Sequence, residues 1–392
     1  MFDGDLTICG PIEVAPLRQW LRAPGNEVPH GLGGTPVVDL ARAALEAGRH
    51  VRIFTLDPAV STETVLAGPR LTIFMGPFRA RYRARDLFCS ERRYLRSAIG
   101  RERPAVVHAH WTYEFALGAM ESGVPTVVTA HDAPLRVLRL LPTPYRLMRT
   151  VMAYEVVRQV RFLTAVSHSV AEHFRRYFRY SSSPIRVIPN GLLEEWSPGR
   201  REAADCVRVV FASALNGWGA LKNGAGILSA FALVRRELPE SELLLFGAGH
   251  GAGEAAERWA RPRGMHEGVR FLGAVERGVL RRELAGRADV FVHPSREESF
   301  GMTIAEAMAL GLPVIASRNG GAVAEMLEGG ACGVLTDVQS PVALAEEMLR
   351  LAGDPELRAR VARAGIESAG RRFGMKRVMA AYAAIYEEAR QS

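Results

Sequence analysis

Two glutamates, Glu298 and Glu306, stand eight positions apart in the stretch SREESFGMTIAEAMALGLPVIAS, residues 295–317. A carboxylate accepts two hydrogen bonds from a vicinal diol. Between the two acids run Ser299, Phe300, Gly301, Met302 and Thr303. Gly301 lets a ligand approach the backbone closely. The residues after it predict a helix that starts near Phe300–Met302 and ends at Leu310, before Gly311 and Pro313. A helix N-terminus carries unpaired N–H groups and about half a positive charge, which favours a phosphate. Glu298 lies just ahead of that end, and Glu306 lies about 8 Å of rise beyond it. One acid on either side of a diphosphate suits a hydroxylated ring at each end. A nucleoside diphosphate sugar has that layout. The plainer reading makes Glu298 a helix-capping acid and Glu306 a solvated helix residue, and the spacing alone does not separate the two.

Such a site needs a strand, a loop, a helix and a second strand, with the ligand beyond the carboxyl ends of the strands. Asp289–Val292 reads as the first buried strand. Similar apolar runs lie near 51–55, 105–110, 126–131, 161–167 and 185–190, then near 207–213, 242–247, 269–274, 289–295, 313–317 and 333–337. Helical patterns separate them. Strands apolar on both faces and spaced by helices predict parallel sheets covered on both sides. Two such series predict an α/β chain of two doubly wound domains, which 392 residues accommodate. The boundary falls after Pro189-Asn190-Gly191, in the polar segment 192–205 with its Pro198-Gly199 turn. The domains are then 1–191 and 192–371. A C-terminal helix, about 372–392, places Tyr382, Ile385 and Tyr386 on one face and is a candidate to pack back on the first domain.

The formal net charge is +8, nearly all arginine; Lys222 and Lys376 are the only lysines. A surplus of arginine suits anionic partners or reflects biased composition. Arginines interleaved with apolar residues in Phe78–Arg103 and Leu135–Arg161 are either solvated helix faces or a surface suited to an anionic membrane, such as the inner membrane face. No nucleic-acid-binding module is visible. Cys9, Cys89, Cys206 and Cys332 have no metal-ligand spacing and read as reduced core residues of a cytoplasmic protein. No signal peptide is expected from MFDGDLTICG, and no run of apolar residues is long enough to span a membrane. Gly247-Ala248-Gly249-His250-Gly251-Ala252 fits a dinucleotide fingerprint as a string. It follows a later strand, however, and the next strand ends in Gly273 rather than an acid, which argues against nicotinamide binding. His108, His110 and His131 end different strands with no acidic pair, and there is no Asp-x-Asp, so no metal is expected.

Residues 289–321 resemble the donor-site motif of family-4 glycosyltransferases with the GT-B fold. Leu244–Gly249, Ala288–Val292, Val187–Gly191, Val107–His110, Thr129–Asp132 and Gly33-Gly34-Thr35 resemble other parts of that family, so the likeness covers nearly the whole chain. It implies two Rossmann-like domains facing across a cleft, the first binding the acceptor and the second the nucleotide sugar. It implies that Glu298 contacts the transferred sugar, Ser299 to Thr303 the diphosphate, and Glu306 the ribose. Lys222 would neutralise phosphate charge, and Gly247 would belong to the donor site. His131 would orient the donor sugar and the acceptor hydroxyl, with Gly33, Gly34, Thr35, His110 and Asp132 on the acceptor side. The implied activity is metal-independent transfer of a hexose-type sugar, with retention, from a nucleoside diphosphate sugar to a glycan, lipid-linked or small-molecule acceptor. No cofactor is expected. One departure stands out. Where the family has an arginine ahead of its lysine, this chain has Ala214; Asn216 or Trp218 fills that place, or donor affinity is lower. A GT-B sugar-nucleotide epimerase, a non-catalytic nucleotide-sugar-binding protein and a glycosidase are the alternatives.

Overall fold

The computed structural model describes residues 5–22, 28–197 and 208–391; Cys206 and the Pro198-Gly199 turn lie outside them. The chain forms two compact units, Met1–Leu193 with Met375–Ser392, and Glu194–Gly374.

The first unit is built on β1 (Leu6–Cys9), β2 (Val51–Asp57), β3 (Thr64–Ala67), β4 (Leu71–Pro77), β5 (Val107–His110), β6 (Thr126–Ala130), β7 (Phe162–Ala165) and β8 (Arg186–Val187). They form one sheet in the order β3-β4-β2-β1-β5-β6-β7-β8, parallel except for the β3–β4 pair. Three of these strands had no counterpart among the expected runs: β1, β3 and β4. β3 is an edge strand whose residues alternate between half-buried and exposed, so it lacks a continuous apolar run. β5 and β6 pair in register, His110 beside Thr129 and His108 beside Val127.

The helix Met375–Arg390 belongs to this unit and buries Tyr382, Ile385 and Tyr386. It meets the sheet through hydroxyls. Tyr386 OH lies 2.8 Å from His108 Nδ1, and Tyr382 OH lies 3.2 Å from Thr129 Oγ1. Its start is fixed where Met375 N donates to Leu192 O at 3.1 Å. Gly191 packs against that start, and a Cβ there would come 2.5 Å from Met375 Sδ and displace the side chain.

The second unit contains β9 (Val210–Ala214), β10 (Glu242–Phe246), β11 (Val269–Gly273), β12 (Val290–His293), β13 (Val314–Ser317) and β14 (Val334–Thr336). The order is β11-β10-β9-β12-β13-β14, all parallel. Phe211, Phe231, Leu243, Leu245, Val292 and Ile315 lie at its core. The order reverses between β9 and β12, and such a switch point opens a crevice beyond the strand ends.

Cys9 and Cys332 are buried, but Cys89 is exposed at the first position of the helix Cys89–Glu102, so it is no core residue. Among the described residues no helix is long and apolar enough to cross a membrane.

Candidate active site

In the second unit the chain leaves β12 at His293 and turns into a helix at Gly301. That glycine is in the left-handed region, φ 93°, and the helix Met302–Ala309 follows with no side-chain cap at its start. Glu298 is therefore not its cap. Phe300 is buried edge-on to Phe373, ring centroids 5.3 Å apart, and anchors the helix entry. Ser299, Met302 and Thr303 are half-buried beside it.

Glu298 is fixed at backbone and side chain. Its N–H donates to Gly320 O at 3.2 Å, and its carbonyl accepts from Ala322 N at 2.8 Å. Gly321 sits at φ 68°, and a Cβ there would fall 2.4 Å from Glu298 O, so only glycine fits. The carboxylate Oε1 accepts from Lys222 Nζ at 2.5 Å and lies 3.0 Å from His293 Nε2. His293 Nδ1 is 3.4 Å from Thr303 Oγ1, which links the cluster to the first turn of the helix. Burial alone would raise the Glu298 pKa, but the His293 hydrogen bond and the Lys222 charge hold it at about 2.

Lys222 is held by its neighbours. Leu221 O accepts from Arg296 N at 2.9 Å and from Ser295 Oγ at 3.3 Å. Asn223, at φ 56°, opens the helix Gly224–Glu237 and donates from Nδ2 to Val338 O at 2.7 Å. Arg296 Nη2 reaches Asn223 Oδ1 at 3.4 Å. Ala214 ends β9 and is buried. Trp218 does not stand in for a cation there. It packs on His250 and Trp259, with centroids 5.6 and 5.9 Å away, and a Cβ at Gly224 or Gly249 would strike it. Asn216 is exposed. Gly247, φ 108°, lets β10 pass against Leu215 O, which a Cβ would approach to 1.8 Å.

Glu306 is 2% exposed and is not a solvated residue. Its Oε1 accepts from both Nε, at 3.1 Å, and Nη2 of Arg277, the first residue of the helix Arg277–Arg287. The Arg277 guanidinium also lies 5.1 Å from the Trp196 ring centre. Lys222, Glu298 and Thr303 thus share one hydrogen-bonded group through His293, while Glu306 belongs to a second one. His293, Arg277 and Arg296 were not expected from the sequence. Only His293, at the end of a buried strand five residues before Glu298, left a trace that could have been followed.

In the first unit, Gly34 at φ 85° precedes the helix Thr35–Glu46, and a Cβ there would meet Pro11 O at 2.1 Å. Gly33, at φ 84°, has open space around it. Asp57, another residue not expected, accepts from Gly31 N and from Ala59 N, pinning the glycine loop. Half-buried His131 places Nε2 2.9 Å from Nδ1 of His110, which is 2% exposed. The Trp111 ring lies 4.3 Å from that of His131. Burial lowers the His131 pKa to about 3. Asp132 Oδ2 accepts from Tyr113 OH at 2.7 Å, and its Oδ1 is buried without a partner. Burial raises the Asp132 pKa, and the Tyr113 hydrogen bond and the Arg149 charge oppose that. Arg149 lies 3.6 Å over the Tyr113 ring and pairs with Glu114. A small cavity beside His110 and His131 is walled by Pro36, Leu40, Pro189, Asn190, Met375 and Tyr382, among others. Among the described residues no three His, Cys, Asp or Glu side chains are grouped so as to hold a metal ion.

Comparison with known proteins matches residues 33–195 to Glycosyltransferase Family 4 and residues 206–354 to Glycosyl transferases group 1. The chain is 30% identical to a D-inositol 3-phosphate glycosyltransferase of Segniliparus rotundus, over 80% of this chain and 72% of that protein. Its fold is similar to sucrose-phosphate synthase from Thermosynechococcus elongatus, with a TM-score of 0.77, 18% identity and 98% of each chain covered. It is also similar to HepE of Anabaena, solved in complex with UDP-glucose, with a TM-score of 0.70, 16% identity, and 98% of this chain and 100% of that one covered.

The geometry around Glu298 predicts a pH signature. A carboxylate whose pKa is depressed on folding adds stability that is fully present above its unfolded value, near 4.5, and is lost as the pH falls toward 2. The stability gap of the second unit between wild type and Glu298→Gln, followed by urea unfolding, is therefore flat above about pH 5 and shrinks below it by on the order of 3 kcal/mol. A gap that stays constant down to pH 2 contradicts the ion-pair geometry.

Proposed function

The chain belongs to the group 1, family 4 glycosyltransferases, which transfer a sugar from a nucleotide sugar, and we propose that it moves a hexose to an acceptor hydroxyl with retention. The observation that carries this reading is the hydrogen-bonded group of Lys222, Glu298, His293 and Thr303 at a glycine-opened helix end. In the reading, the diphosphate of the donor sits on the first-turn N–H groups near Gly301, Met302 and Thr303. Lys222 lies between that charge and Glu298. Positive charge placed where the departing diphosphate gains negative charge lowers the barrier, because it is already oriented. Glu298, ionised and not able to donate, accepts from hydroxyls of the transferred sugar. Glu306, oriented by Arg277, accepts from the ribose diol. Arg296, tied to the Lys222 loop, is the assigned second cation in place of the one that Ala214 lacks. The first unit takes the acceptor, with Gly33, Gly34, Thr35 and Asp132 around it and His131 as its polar contact to the reacting sugar.

The UDP-glucose bound by HepE makes uridine diphosphate sugars the first donors to try, and the relative from Segniliparus rotundus makes a phosphorylated polyol the first acceptor. A thermal-shift panel of nucleotide sugars tests the reading, because a ligand of the folded state raises the melting temperature. One donor stabilises the protein and its free sugar does not. Glu306→Ala abolishes that shift, and Lys222→Ala lowers kcat by about 10²–10³. A full shift in Glu306→Ala removes the ribose assignment.

We also infer that the first unit lies on the cytoplasmic face of an anionic membrane. In Phe78–Arg103, Arg79 pairs with Asp86 and Glu91, Arg92 with Glu121 and Arg101 with Glu63, while Arg81, Arg85, Arg93, Arg96 and Arg103 are exposed. The helices Pro134–Leu140 and Pro144–Gln159 differ. Leu140, Tyr145, Leu147, Val151 and Tyr154 are all exposed there, flanked by exposed Arg139 and Arg158. Apolar area beside cationic side chains is the pattern of an interfacial helix. The protein therefore sediments with vesicles containing anionic phospholipid and not with zwitterionic ones. The pair Leu147→Glu and Val151→Glu abolishes this without changing the donor-induced thermal shift. Equal sedimentation with both vesicle types overturns the membrane assignment.

A further inference from the structure

His131 is the outer end of a chain of buried imidazoles. Residues two apart on a strand point to the same face, and the His108 and His110 rings on β5 lie 4.0 Å apart. His108 is engaged at both nitrogens, Nδ1 by Tyr386 OH at 2.8 Å and Nε2 by Thr129 Oγ1 at 2.7 Å. His110 is not. Its Nδ1 lies 2.9 Å from His131 Nε2, while its own Nε2 is buried with no hydrogen-bond partner. Turning the ring to find one would break the contact with His131. A Cβ at Gly10 would come 3.1 Å from the His110 Cβ, and the His108 ring lies tilted beside it at 37°. Trp111, in the left-handed region at φ 64°, holds its ring against that of His131.

Burial depresses the pKa of both His110 and His131, so each ring is neutral near pH 7 and carries a single proton. An N···N hydrogen bond between two neutral imidazoles holds one proton and allows two arrangements. In one, His131 donates from Nε2. His110 must then carry its proton on Nε2, as a buried N–H with no acceptor. In the other, His110 donates from Nδ1, and its Nε2 is left as a bare lone pair. Among buried backbone groups an orphaned N–H is rarer than an under-satisfied carbonyl, and the second arrangement is the one that follows that order. The second arrangement also puts the His131 proton on Nδ1.

We infer that His110 is a positioning residue that donates its Nδ1–H to His131 and thereby makes His131 present Nδ1–H to the substrate as a hydrogen-bond donor. The substrate atom met by His131 is then an oxygen that accepts, and His131 does not take a proton from the acceptor hydroxyl. The functional part of this rests on the assignment of His131 to the reacting sugar; the tautomer does not.

The full-length protein labelled with ¹⁵N-histidine provides the test. Long-range ring ¹⁵N–¹H correlations at pH 7 without substrate report the tautomer of each ring, and His131→Gln identifies the His131 signals. The expected spectrum shows His131 protonated on Nδ1 and His110 bare on Nε2; His131 protonated on Nε2 overturns the inference. Kinetics form the second arm. His110→Ala lowers kcat by about tenfold. His110→Asn, whose amide nitrogen can stand where Nδ1 stood, restores most of it. His110→Asp, which only accepts, does not. Equal rates for the Asn and Asp variants, both folded by melting temperature, also overturn it. The expected tautomer with kcat unmoved in every His110 variant overturns the assignment of His131 to the sugar instead.

Discussion

Glu298 is an ionised acid in a nearly enclosed place, and three segments meet on it. Burying a carboxylate is strongly unfavourable unless it is paired and hydrogen-bonded. Here Lys222 arrives from the turn after β9, His293 from the end of β12, and the backbone of Gly320 and Ala322 from beyond β13. Losing Lys222 leaves the charge uncompensated and losing His293 removes a hydrogen bond from it, so the turn, the loop and the helix end hold one another in place. The lysine cannot be replaced from nearby stock, since the only other one is Lys376 in the first unit.

The same contact bears on anion binding. A bare carboxylate near a helix N-terminus would compete with a phosphate for the same positive end. With Lys222 seated on Glu298, the acid is neutralised on one side. In the proposed reading, the phosphate then has the lysine and the first-turn N–H groups, and the acid is left to the hydroxyls. Arg277 pairs in the same way with the buried Glu306. Two acids eight residues apart are thus each paired with a different cation, from an element remote in sequence.

Much of this was legible from the sequence. β10, β12 and β13 are continuous apolar runs, and buried parallel strands need no alternation to announce them. The helix Met302–Ala309 was marked by Gly301 before it and Gly311 and Pro313 after it. What stayed hidden was non-local. Nothing local ties Arg277 to Glu306 or Lys222 to His293, because strand order brings them together. β3 is half exposed and gave no continuous apolar run to read. Trp218, open as a stand-in for an arginine, is half-buried and packs on Trp259 and His250 against the core, contacts that no local pattern announced. Cys89 looked like the other cysteines but falls at a helix start facing solvent.

A crystal of the protein soaked with a nucleoside diphosphate tests the central claim most directly. The account predicts phosphate oxygens within about 3 Å of the backbone N–H groups at residues 301–303 and of Lys222 Nζ. A pyrophosphate bound away from Gly301, with Lys222 untouched, contradicts it.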